Sequence, residues 1–305
     1  MNFHTAHELG TLRRKIGPRL RELRFFLYTL RRSTLAIVGV AIIVVFVFIS
    51  IFGDYVAPYD PYELNVTETL MPPSLKHLFG TDEVGRDILS RVLVGAKYSL
   101  QISIVTVVIA VAIGAFLGSV AGWYGGRLEE LLMRLTDFVL AFPIFIFAMA
   151  VAAALGPSLQ NVMFALSVSW WPYYARLIRS QVLTVRESQY VMAAKVMGAG
   201  KFFTLFRHII PNSLSPILIA ATLDIGWVIT YAAGLSFIGF GAQPPLPEWG
   251  LMISNSRSYI QSAWWYPAFP GIIMVLVVIG FNFLGDGLRD AADPKIRRLL
   301  EVKGK

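Results

Sequence analysis

A few residues in this chain are of types that do chemistry, and their spacing decides which chemistry is open to them. Gly198-Ala199-Gly200-Lys201 has the look of a phosphate-cradling loop. Lys201 is followed by Phe202 rather than Ser or Thr, however, and the position five before Gly200 is Lys195 rather than Gly, so the Walker pattern fails. The four histidines, His4, His7, His77 and His208, are scattered and suggest no metal site, and the absence of cysteine removes thiol chemistry and Cys-ligated zinc. Asn65-Val66-Thr67 fits the glycosylation pattern, a weak signal alone. No Gly-flanked serine, His-Glu-x-x-His pair or carboxylate dyad points to an intramembrane enzyme. Asp224 is different, because it lies within a long apolar run. A carboxylate there is costly and faces protein or water rather than lipid, so it is either a helix-packing hydrogen bond, the preferred reading, or an ionisable pathway residue. Asp137, nearer an interface, reads as structural.

The elements that position these residues are transmembrane helices. Hydrophobic residues make up 56% of the chain and charged ones 15%, against roughly a quarter charged in soluble domains. Long uncharged runs alternate with short charged ones. Six spans are predicted, near 34–52, 98–121, 131–154, 160–180, 213–238 and 266–286, with the uncharged stretch from Phe138 to Ala175 divided at Gly156-Pro157-Ser158. The basic stretch ahead of the first span lacks the small-residue cleavage site of a signal peptide.

Charge placement predicts orientation. Of 27 basic residues, 20 fall before the first span, around the loop between spans four and five, and in the tail. Six spans put all three regions on one side, the cytoplasm, with both termini inside. The net charge of +8 therefore encodes topology, and nucleic acid is not an expected partner. The resulting organisation is a basic segment over 1–33, a first helix over 34–53, an external loop over 54–97, a five-helix core over 98–288 and a tail over 289–305. Trp123 and Tyr124, at one interface, and Trp264, Trp265 and Tyr266, at the other, are expected as aromatic belts.

Two patterns concern packing and partners. Gly114, Gly118 and Gly122 form a doubled G-x-x-x-G that lets another helix approach closely, either within the chain or from a partner. The loop 187–212 is too patterned for a connector. It reads as a short amphipathic helix over Glu187–Met197, a break at Gly198–Gly200, a second helix over Lys201–Ile209, and Pro211-Asn212 before span five. External segments 54–97 and 239–265 are candidate docking surfaces, with Tyr55–Leu75 expected to lack regular structure and Trp249 expected as a membrane anchor or contact.

Ala193-Ala194, then three residues, then Gly198, then Ile210-Pro211 resembles the EAA loop of ABC importer permeases. Tyr190–Ala199 and Arg207–Asn212 are similar to its dipeptide, oligopeptide and nickel branch. So are Phe79–Asp87, Ser90–Ala96, Gly239–Pro245, Pro247–Gly250 and Asn282–Asp290 with Asp293-Pro294, so the likeness spans roughly 35–298. The long external loop resembles the "C" permease. The resemblance implies a type I importer permease fold in the cytoplasmic (inner) membrane, without catalysis of its own. It also implies a second homologous permease, two ATPase subunits that bind ATP and Mg, and an extracytoplasmic solute-binding protein. Ala193, Ala194, Gly198, Phe202, His208 and Pro211 would then couple to an ATPase, and Asp224 could meet a peptide amino group. Met192 stands where the pattern has Glu, which removes a charge-assisted contact. A proton-coupled carrier using Asp224 and Asp137 is the alternative, though it has no use for the loop at 187–212.

Overall fold

The computed structural model describes residues 30, 31 and 33–292. Most of the basic segment 1–33 and the tail beyond Ala292 lie outside the described residues. The described chain is built from helices: α1 (Thr34–Val56), α2 (Ile88–Tyr124), α3 (Gly126–Leu140), α4 (Ile144–Leu155), α5 (Leu159–Arg186), α6 (Gln189–Val196), α7 (Lys201–Thr204), α8 (Ile210–Ser213), α9 (Ser215–Ile238), α10 (Trp249–Ser256) and α11 (Trp265–Ala292). In hydrocarbon each backbone N–H and C=O must find its partner within the chain, which a helix alone achieves locally.

Among the described residues, α1, α2, α9 and α11 are long and apolar enough to cross a membrane, and α3 with α4 adds a fifth if the pair counts as one span. The predicted continuous span 131–154 is therefore corrected. Its two halves are bent by 88° at Ala141-Phe142-Pro143. Pro143 has no N–H and pushes Phe142 out of helical geometry, so the helix must stop there. The α5 helix covers the predicted fourth span and is long enough to cross, but Arg176, Arg179 and Arg186 make it more polar than the others. Gly156, at φ +87°, separates it from α4 where the breaker cluster was expected.

The start of α2 also differs from expectation. It begins ten residues ahead of the predicted 98, and its 37 residues extend about 55 Å, well beyond a hydrocarbon core of about 30 Å. Asp87 caps it by accepting from the Ser90 N–H at 2.7 Å. The projecting first turns serve as a post for the external segments. Arg91, 1% exposed, donates from Nη1 to the Pro61 carbonyl at 2.8 Å and reaches the carbonyls of Pro245 and Leu246 at 3.5 Å. One guanidinium thus ties the loop after α1 to the loop after α9. Asp82, fully buried, accepts from the N–H groups of Val84 and Arg86 and from Arg86 Nε at 2.6 Å. His77 lies buried between Asp87 and Glu68.

Of the stretch Tyr55–Leu75, Tyr55 and Val56 end α1, Val66–Glu68 form a 3-10 turn, and the remainder is irregular. Its backbone is nevertheless pinned, with Asn65 N–H on Val84 and Leu70 N–H on Asp82. Trp249 is no membrane anchor: it is buried, and its indole donates to the Val92 carbonyl at 3.0 Å. Trp265 and Tyr266 are buried too, leaving Trp264 as the exposed member of that belt; at the other interface Trp123 is buried and Tyr124 exposed. The buried rings stabilise the cap and bundle, and Trp264 and Tyr124 are left to face the lipid boundary.

Removing one partner of a buried charged network leaves the others desolvated and unpaired, at a cost of about 3–5 kcal/mol. Arg91→Met should lower the thermal unfolding midpoint of the detergent-solubilised chain by several degrees. Lys97→Met, which breaks the exposed pair with Asp54 and an exposed contact with the Tyr98 ring, should leave it nearly unchanged. Equal midpoints for both variants would show that Arg91 does not hold the cap.

Candidate functional site

The most extensive helix pair is α2 with α5, which run parallel. A Cβ at Gly114 would lie 2.5 Å from the Tyr174 Cβ and 2.7 Å from the Trp171 carbonyl oxygen. At Gly118 it would collide with the Ala175 carbonyl, and at Gly122 it would lie 2.9 Å from Val182 Cγ1. The predicted glycine face is therefore occupied by α5 of the same chain and is not free for a partner helix. A second close pairing, α1 against α11 through Gly39, Gly280 and Gly287, is not legible as one motif, because Gly39 lies far from the other two in the sequence.

Seated in this way, α5 presents Tyr174 to α9. The Tyr174 hydroxyl, buried, donates to Asp224 Oδ2 at 2.5 Å. Asp224 itself is only partly buried. Around it Trp170 packs edge-on to Tyr231 at 5.0 Å, Phe145 of α4 meets the same ring at 5.8 Å, and Trp227 and Tyr173 are exposed. The result is an aromatic-walled patch around one half-buried carboxylate held by Tyr174. Asp137 lies apart from it, in an exposed ion pair with Arg176. Sequence reasoning found Asp224 but not its partners, since Trp170, Tyr174 and Tyr231 read as ordinary apolar residues of neighbouring spans.

At the end of α5 the chain forms the expected hairpin. Its first helix begins at Gln189, two residues later than predicted, with Ser188 ahead of it. The turn uses Gly198 at φ +83°, a conformation that other residues adopt at a cost, with open space around its Cα. The second arm runs from α7 through a π-helical turn, Leu205–Ile209, into α8 and then α9. Pro211 and Pro216 each remove an N–H from this stretch. Asn212 Nδ2 and the Ser213 hydroxyl instead donate to the carbonyls of His208 and Ile209, at 2.6 and 2.9 Å. The arm leads into α9 through successive helical turns, with a bend at Leu214.

The hairpin is two-faced. Val191, Ala194, Leu205 and Ile209 are buried against the bundle. Met192, Val196, Met197, Phe202, Phe203 and Phe206 are exposed, Val196 by 88% and Met197 by 82%. Of the six expected coupling residues, Ala193, Gly198, Phe202 and Pro211 are exposed, His208 is half-buried between Tyr190 and Phe203, and Ala194 faces inward. Among the described residues, no group of His, Cys, Asp and Glu could hold a metal.

Apolar helices around a half-buried carboxylate, with a two-faced hairpin at one end and an ordered loop layer at the other, make up a multi-helix membrane protein. Residues 114–298, more than half of the chain, match the family model for the binding-protein-dependent transport system inner membrane component, and residues 23–73 match the N-terminal TM domain of oligopeptide transport permease C. The chain is 47% identical over 268 residues to the probable D,D-dipeptide transport system permease protein DdpC of Escherichia coli, covering 88% of this chain and 90% of that one. It is also 47% identical over 268 residues to the dipeptide transport system permease protein DppC of Alkalihalophilus pseudofirmus, with 88% of each covered. Among solved structures, a chain of the MetNI methionine ABC transporter in an inward-facing conformation superposes with a TM-score of 0.55 at 18% identity, over 67% of this chain and 97% of that one, a likeness of fold.

The chain belongs to the family of binding-protein-dependent transport system inner membrane components. It is a multi-pass protein of the inner membrane, and its relatives support this reading over a proton-coupled carrier built on Asp224 and Asp137.

The hydrogen bond between Tyr174 and Asp224 joins α5 to α9, so the two residues should behave as a unit. Tyr174→Phe and Asp224→Leu should each lower the thermal midpoint, and the double variant should fall by clearly less than the sum, since contacting residues couple by about 0.5–3 kcal/mol. Strict additivity would mean that the bond contributes nothing.

Proposed function

We propose that this chain is one of two homologous permease subunits of an ATP-driven importer for di- or oligopeptides or solutes of similar size. It forms half of the translocation pathway and has no catalytic activity of its own. The observation that carries the reading is the hairpin: apolar residues exposed on both its arms, the second of which leads through successive helical turns into the helix that bears Asp224. A partner ATPase that gripped Met192, Val196, Met197 and Phe202 would bury side chains that are unfavourable in water, and Met adapts well to an irregular groove. Closure of two such ATPases, with ATP and Mg bound on them, would move α9 as a rigid body. Hydrophobic docking of the Met192 side chain then stands in for the polar interaction that a glutamate would make at this position.

In this reading the chain crosses the membrane six times, with α5 and the bent α3–α4 pair inside the bundle and both termini in the cytoplasm. The hairpin lies on the cytoplasmic face. The cap organised by Arg91 and Trp249 receives a solute-binding protein outside. The assignment to peptides rests on the dipeptide transport relatives and on the aromatic patch, where Asp224 offers a counter-charge for a peptide amino group.

The test exploits Gly198, whose open surroundings admit a side chain sterically while its positive φ does not suit one. A β-branched residue at this backbone conformation is strained. Gly198→Val should leave the chain in the membrane at normal abundance and lower uptake of a labelled dipeptide by about tenfold or more, the equivalent of about 1.4 kcal/mol of coupling free energy. Normal uptake in that variant would contradict coupling through the hairpin. ATP hydrolysis by the purified chain alone would contradict the division of labour.

A further inference from the structure

Beneath the hairpin lies a cavity of about 540 Å³ bounded by Trp123 and Tyr124 at the end of α2, Arg186 at the end of α5, and Lys195, Ala199, Lys201 and Thr204 of the hairpin. Three of these residues are cations and none is an acid. Among the described residues, Arg186, Lys195 and Lys201 enter no ion pair. The acids of α3 are already engaged: Glu129 with Arg179, Glu130 with Arg134 and Asp137 with Arg176.

The cations are positioned without being neutralised. Arg186 donates from Nη1 to the Gly122 carbonyl at 3.1 Å, which leaves its other N–H groups available. The Lys195 ammonium sits 4.9 Å from the Trp123 ring centroid, a cation–π contact that fixes it and preserves its charge. Lys201 opens α7 on the far wall. Like charges gathered at one cavity repel each other, and an anion between them relieves that cost. Arg and Lys together suit a phosphoryl group, whose oxygens accept a planar fork and point charges at once.

Depth names the source. Tyr124, exposed where a membrane-crossing helix ends, is a ring of the type that marks the headgroup level. Basic pockets between helices at that level take anionic lipid headgroups. We propose that this cavity binds a phosphoryl group through Arg186, Lys195 and Lys201, in the membrane the headgroup phosphate of an anionic phospholipid. The bound headgroup would tie the hairpin to the ends of α2 and α5. Gly198-Ala199-Gly200-Lys201 then has an anion-binding use after all, through its lysine and without nucleotide. The inference is independent of the transported solute and of the ATPase reading.

The test is native mass spectrometry of the purified full chain, offered phosphatidylglycerol or phosphatidylcholine. Wild type should retain the anionic lipid in preference by about tenfold, and the triple variant Arg186→Gln, Lys195→Gln, Lys201→Gln should lose that preference. Lys97→Gln, at the opposite end of the bundle, should retain it. Should the triple variant fail to fold, each single variant should show a partial loss, and Lys195→Arg should restore binding relative to Lys195→Gln. Stabilisation by inorganic phosphate in place of the lipid would assign the site to a soluble phosphoryl group and support the same chemistry. Anionic-lipid retention equal to wild type in the triple variant, or in all three single variants, with no response to phosphate, would overturn the proposal.

Discussion

The contact on which the rest of the molecule depends is the close approach of α2 and α5 along Gly114, Gly118 and Gly122. In a bilayer, lipid tails are as apolar as any side chain, so helices associate through tight packing and internal hydrogen bonds rather than by escaping water. The α5 helix needs that packing more than its neighbours, because its second half carries three arginines and its middle carries Ser167, Ser169 and Tyr174. Seated in the glycine groove, it buries Tyr174 and aims the hydroxyl at Asp224. Its far end then places Arg186 under the hairpin and sends the chain into α6. The carboxylate patch, the basic cavity and the hairpin all follow from how α5 is held.

Much of this is legible in the sequence, for physical reasons. Long uncharged runs have few soluble alternatives, so α1, α9 and α11 lie close to where the runs predict them, and α2 covers its run but starts ten residues earlier. The glycine triplet announces a close contact, although not which helix fills it. The hairpin is readable because Gly198 and Pro211 constrain the backbone whatever surrounds them, and both its helices form near their predicted places. The break in the third span is harder. Pro143 is present, but the apolar content on either side argues for continuity, and only the bend reveals two short helices.

What the sequence withholds is chiefly polar chemistry formed between distant segments. Arg91 reads as one charge in a loop, yet it is among the most buried side chains and joins segments more than 150 residues apart. His77 reads as an isolated histidine, yet it bridges Glu68 and Asp87. Trp249 reads as a membrane anchor because tryptophan favours interfaces, whereas the projecting start of α2 gives it a carbonyl to bind inside the cap. The basic cavity is hidden in part for the same cause: its three cations are close in sequence, but the Trp123 and Tyr124 wall comes from α2.

Ordered chemistry therefore lies at both ends of a bundle, with motion entering at one of them. The central claim is that an ATP-hydrolysing neighbour grips the apolar side of the hairpin. The chain has no cysteine, so a single Met197→Cys makes a unique probe on a side chain that is 82% exposed. Cross-linking from this position in native membranes should join the chain to a nucleotide-binding subunit, with a yield that changes when ATP is added. A probe that reacts freely with solvent and joins no such subunit in transport-competent membranes would contradict it.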